Sequence, residues 1–124
     1  MNWQQTESER QRRQLEQEYL ARHVFFGLTD RNTGFDVGCI AYFSEEDFEI
    51  VLDRVEEKGI GIYGIEPWHR GEFFDVTTCD ESKYDFADPA WYREAFLRFK
   101  QWGFLLDYAA SYSVPDHLLI SENN

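Results

Sequence analysis

Residues 44–59 read SEEDFEIVLDRVEEKG, and this stretch decides the fold class. Ser44 stands at an N-cap position three residues before Asp47, a capping box with the shorter Asp in place of Glu. Glu45, Glu46 and Asp47 set negative charge on the positive end of the helix dipole. Phe48, Val51, Leu52 and Val55 recur at i, i+3, i+4 and i+7, and Gly59 supplies a left-handed stop. The spacing predicts a helix over 44–58 with one buried face. On both sides of it the period changes to two. Upstream, Val37, Cys39, Ala41 and Phe43 alternate with Ile40 and Tyr42, which predicts a strand over 36–43 covered on both faces. Downstream, Ile60, Ile62, Tyr63 and Ile65 predict a short buried strand closed by Pro67. A hairpin through Trp68, His69, Arg70 and Gly71 leads to a strand over 72–78.

The remaining elements follow the same logic. Asp88 caps a second helix, with Pro89 at its first position. Trp91, Ala95, Phe96, Phe99 and Trp102 share one face, and Gly103 ends the helix. Leu106, Tyr108, Ala110 and Tyr112 alternate in a last strand over 104–112, stopped by Pro115. At the start, residues 4–22 are rich in Gln, Glu and Arg, with Thr6 and Glu9 at capping-box spacing and a thin stripe of Leu15, Tyr19 and Leu20. This helix should dock weakly. Residues 24–28 fit either a helix extension or a strand, and Asp30 to Gly34 has turn chemistry.

The predicted order is α+β: an N-terminal helix, then βαββαβ. That pattern suits a ferredoxin-like (split βαβ) antiparallel sheet with its two helices on one face. One domain accommodates the 124 residues, as a polar helix over 1–23, a core over 24–115 and a loose tail over 116–124.

Charge and composition bound the function. Asp and Glu number 24 against 12 Lys and Arg, a formal charge of -12. The first 23 residues are balanced, Glu7, Glu9, Glu16 and Glu18 against Arg10, Arg12, Arg13 and Arg22, so the excess lies downstream. Phe, Tyr and Trp make up 18% of the chain, enough that some rings should face a partner. The polar residues 1–17 lack the apolar core of a secretory signal, and no run is long enough for a membrane span, so the expected location is cytoplasmic. Cys39 and Cys79 have no CxxC spacing, and His23, His69 and His117 lie far apart, so neither a metal nor a cofactor is expected. Cys79, followed by Asp80 and Glu81, should be a poor nucleophile. Arg70-Gly71-Glu72-Phe73-Phe74 shares three positions with the RNA-recognition signature Arg-Gly-aromatic-Gly-aromatic. Glu72, however, replaces a stacking ring, and the acidic charge opposes phosphate, so nucleic acid is not an expected partner.

What remains is protein binding. The acidic residues from Glu72 to Asp88 lie beside aromatic rings, and the expected contact set is Trp68, Glu72, Asp80, Glu81, Tyr84 and Asp85. A basic protein partner fits best. The foremost expectation is a stoichiometric inhibitor, an immunity protein or antitoxin, occupying the phosphate-binding site of a nuclease toxin. A chaperone or adaptor, and a ligand-binding module or enzyme with an aromatic pocket, are the alternatives.

Overall fold

The computed structural model describes residues 6–123. Gln4 and Gln5 of the expected first helix, and Asn124 of the expected tail, lie outside them. Among the described residues there are four helices: α1 (Glu7–His23), α2 (Glu45–Lys58), α3 (Pro89–Lys100) and α4 (Asp116–Asn123). Five strands, β1 (Phe43–Ser44), β2 (Gly61–His69), β3 (Glu72–Phe73), β4 (Thr77–Thr78) and β5 (Asp107–Ser113), form one antiparallel sheet.

The local signals that predicted helices act as expected. Thr6 Oγ1 accepts the Glu9 amide, Ser44 Oγ the Asp47 amide and Asp88 Oδ1 the Ala90 amide. Gly59 takes φ 71° to close α2. Asp47, however, does not reach back to complete a capping box; its Oδ2 accepts the Thr29 amide at 3.3 Å and fixes the incoming loop. Phe48, Val51, Leu52 and Val55 are fully buried, each side chain contributing about 1.5–3 kcal/mol. They meet Trp91, Ala95, Phe96 and Phe99 of α3 above Ile62, Ile65 and Tyr108 of the sheet. The Tyr108 ring stacks on Phe48, with centroids 5.1 Å apart, and takes Phe96 edge-on at 5.0 Å.

Several expectations are corrected. The 36–43 segment is strand only at Phe43, because side chains take the backbone partners that a neighbouring strand would supply. Asn32 Nδ2 donates to the carbonyls of Val37 and Ile40, and Asp30 Oδ1 accepts the Tyr42 amide. Residues 24–28 form a turn, with the Val24 and Phe25 amides both bonded to the Leu20 carbonyl. Trp102 leaves the buried stripe because α3 ends at Lys100, and the residue is 62% exposed. Residues 116–123 are helical instead of loose, and the Arg12 guanidinium ties α4 to α1 by bonding Asp116 and the Val114 carbonyl.

Pro67 does not close β2, which runs on to His69. Its carbonyl accepts the Phe74 and Asp75 amides, while its nitrogen, on the same side, has no proton to offer. There the facing edge breaks into β3 and β4. Arg70 and Gly71, at φ 52° and 80°, make the two-residue turn of the β2–β3 hairpin.

Strand order is the largest departure. A ferredoxin-like sheet seats its first and third strands at the centre, whereas here β5 and β2 are central, in the order β1-β5-β2-β3, with β4 also on β2. The hairpin holds residues 72–78 at one edge. The loop leaves only two residues of β1 for the other, and β5 pairs along β2 from Gly61↔Ser113 to Trp68↔Asp107. Replacing Ser44 with Ala should lower the unfolding free energy by about 1 kcal/mol with an unchanged urea m-value, since only the α2 cap is lost.

Candidate docking surface

Side chains alternate across a strand, so the core residue Ile65 sends its neighbours Gly64 and Glu66, and then Trp68, to the face away from α2 and α3. A register shift between Ile62 and Gly64 lets Ile62 join Ile65 in the core although they are three residues apart. The loop over 29–42 covers the Trp68 end of this face. Phe35 and Tyr42 lie 5.3 and 5.4 Å from the Trp68 ring, and Phe73 meets its other side at 6.2 Å. Tyr42 is fully buried yet stands apart from the main core.

Two carboxylates converge on its hydroxyl, Asp36 Oδ2 at 2.5 Å and Glu66 Oε2 at 3.1 Å. Trp68 Nε1 donates to the same Glu66 oxygen at 2.7 Å. Burial, then the hydrogen bond to Asp36 and the charge of Glu66, push the Tyr42 phenol well above its ordinary value. It therefore keeps its single proton and shares it between two acceptors, pinning the loop to the sheet.

Beyond Trp68 the surface turns apolar and open. Phe73, Trp102, Phe104 and Leu105 are exposed, Leu105 by 86%. Half-buried Phe74 joins them, 5.9 Å from Trp102 and 5.7 Å from Phe104, and His69 lies 5.3 Å from Phe104. Gly103, at φ 79°, reverses the chain between Trp102 and Phe104 so that both rings reach Phe74. Phe74, Trp102 and Phe104 thus form one aromatic cluster with two exposed rings, while Phe73 lies against Trp68 on the opposite side of the strand. An exposed aromatic cluster is the usual anatomy of a protein-binding site.

The residues expected from sequence fall into two groups. Trp68 is half-buried at the aromatic end, and Glu72 is exposed next to Phe73 in the hairpin. Asp80, Glu81, Tyr84 and Asp85 follow β4, where the Cys79 amide bonds the Tyr63 carbonyl and the Ile62 amide bonds the Phe86 carbonyl. Tyr63 to Trp68 spans about 17 Å of strand, so the structure does not bring the two groups together. Most of the loop acids have structural work. Asp80 accepts the Ser82 hydroxyl and amide, which hold its pKa below the ordinary value, and Asp85 accepts the Ala87 amide. Tyr84 is half-buried against the core. Phe73, Phe74, Trp102, Phe104 and Leu105 were not among the expected residues. For Trp102, Phe104 and Leu105 the signal was the apolar run around Gly103, which reads equally well as a buried helix end followed by a strand; Phe73 and Phe74 read as hairpin strand.

Among the described residues, no group of three or more His, Cys, Asp or Glu is placed to hold a metal ion, and no helix is long and apolar enough to cross a membrane. Comparison with protein-family models, with curated proteins and with solved structures gives no match to this chain.

Cys79 is buried, and burial first, then Glu81 and Asp80, push its thiol above the ordinary value, whereas Cys39 is exposed. At pH 8 a colorimetric disulfide reagent should therefore titrate one thiol quickly and the second roughly 100-fold more slowly until denaturant is added; Cys39→Ser should remove the fast phase. Tyr42→Phe should cost about 1–3 kcal/mol in urea unfolding, because the two carboxylates lose their shared donor.

Proposed function

We propose that this protein binds a basic protein partner in the cytoplasm and acts as its stoichiometric inhibitor, in the manner of an immunity protein or antitoxin against a nuclease toxin. The observation that carries the reading is the cluster of exposed Trp102 and Phe104 around Phe74, with Leu105 exposed next to it in sequence, on a chain of net charge -12. The rings supply the apolar centre of an interface, where few residues carry most of the binding energy. Carboxylates supply long-range attraction. Asp80, Glu81 and Asp85 are exposed, and Asp80 and Asp85 are oriented by hydrogen bonds within their own loop. They steer approach, and the patch holds the complex.

A chaperone or adaptor is the second reading. It draws on a separate apolar cavity of about 390 Å³ beside α1, lined by Leu20, Phe25, Leu28, Ile40 and Phe43. The two separate by stoichiometry and salt: an inhibitor binds one folded basic partner one-to-one, while a chaperone binds unfolded segments with little salt dependence.

With the partner identified by co-purification, Trp102→Ala or Phe104→Ala should weaken binding at least tenfold through faster dissociation. Changing Asp80, Glu81 and Asp85 to their amides should instead slow association several-fold at low salt and leave dissociation unchanged, read by stopped-flow fluorescence. An affinity indifferent to both salt and these substitutions would overturn the proposal.

A further inference from the structure

The open face of the sheet carries a notch that the aromatic patch does not use. Thr78, Gly64 and Ser111 are directly paired across β4, β2 and β5, so their side chains share one face. Gly64 has no side chain, so the row dips at its centre, where a Cβ would come within 3.4 Å of the Thr78 methyl and the Thr77 carbonyl. The space is a depression of about 250 Å³ with Gly64 and Ala109 beneath it and Ile40, Tyr63 and Val76 around it. Glu66, two residues along β2, lines it as well. Its Oε2 is held by Trp68 Nε1 and by the Tyr42 hydroxyl, while Oε1 accepts no hydrogen bond from the described residues.

The charge in this notch is one-sided. No Lys, Arg or His is among its lining residues, and Asp36 stands behind Glu66 on the same phenol. The adjoining depression toward α1 sets Arg12 and Arg13 against Glu9 and Glu16, which balance. A carboxylate held between apolar walls without a counter-ion favours an incoming cation. With one Glu66 oxygen already engaged, the paired acceptor that a planar guanidinium prefers is incomplete. An ammonium suits the site better. It is a compact charge with three donors, for which Glu66 Oε1 and the Ser111 hydroxyl are acceptors, and its alkyl stem packs along the Thr78 methyl, Ile40, Tyr63 and Val76.

We propose that this notch receives a lysine side chain of the partner, with Glu66 as its counter-ion and Gly64 as the gap that admits it. The inference rests on the chain being a binder of a basic protein, and it names what that partner inserts.

The test needs no partner. Nα-acetyl-lysine methylamide, titrated into the isotopically labelled full chain, should shift the amides of Gly64, Thr78 and Ser111 along one saturable curve. Its Nε-acetylated form should not. Glu66→Gln, which keeps the length and the acceptor oxygen, should weaken the affinity at least fivefold, and Ser111→Leu, which fills the notch from an exposed strand position, should abolish it. Saturable shifts elsewhere only, equal binding by the acetylated form or by Nα-acetyl-arginine methylamide, or an unaffected Ser111→Leu variant would each overturn the assignment. If the lysine analogue fails while a partner still binds in a salt-dependent way, the notch is wrong and the inhibitor reading stands. If the analogue binds and no basic partner exists, the reverse holds.

Discussion

The long antiparallel pairing of β2 with β5 sets the position of everything else. Its register runs from Gly61↔Ser113 to Trp68↔Asp107, and a one-residue slip would exchange the two faces of the sheet along its length. In the observed register Ile62, Ile65 and Tyr108 face α2 and α3, while Gly64, Glu66, Trp68 and Ser111 face away. The irregularity at Tyr63 makes this consistent. Without it, Ile62 and Ile65 could not both be buried, and either the core would lose an anchor or Glu66 would have to enter it.

Features specified by neighbouring residues were legible in the sequence. The caps at Thr6, Ser44 and Asp88, the apolar stripe of α2, and the stop at Gly59 all act within a turn or two of chain, and each is found in place. The 36–43 segment reads as strand because its alternation is genuine, but its hydrogen bonds go to Asn32 and Asp30. Those contacts come from side chains up to twelve residues away, and hydrophobic periodicity carries no trace of them. Strand order was unreadable for a related reason, since which strand β5 joins depends on surface that only the assembled chain presents. The same limit applies to the candidate site. Trp68 and Glu72 were visible as residues, but the meeting of Asp36 and Glu66 on Tyr42, and the exposure of Trp102 and Leu105, exist only in three dimensions.

The carboxylate excess divides once the structure is known. On α2, Asp53 and Glu56 both pair with Arg93, Glu49 pairs with Lys100, and Glu45, Glu46 and Asp47 sit in the first turn against the helix dipole. These pairs are exposed and add little stability, but they account for much of the helix's charge internally. The acids after β4 shape turns as well as carrying charge. Glu66 is of another kind, a half-buried carboxylate whose geometry is set by a tryptophan and a tyrosine rather than by a base.

Both margins of the sheet are strands of two residues, β1 on one side and the interrupted β3 and β4 on the other. The interruption traces to Pro67, whose missing amide proton breaks the ladder opposite residues 74–76. An edge so short gives a second chain little to pair with, which is how sheet proteins resist fibre-like association. A protein that displays Phe73, Trp102, Phe104 and Leu105 to water carries a standing risk of self-aggregation. The proline lowers that risk at the backbone level, so stickiness is confined to side chains and whatever adheres must match their shape.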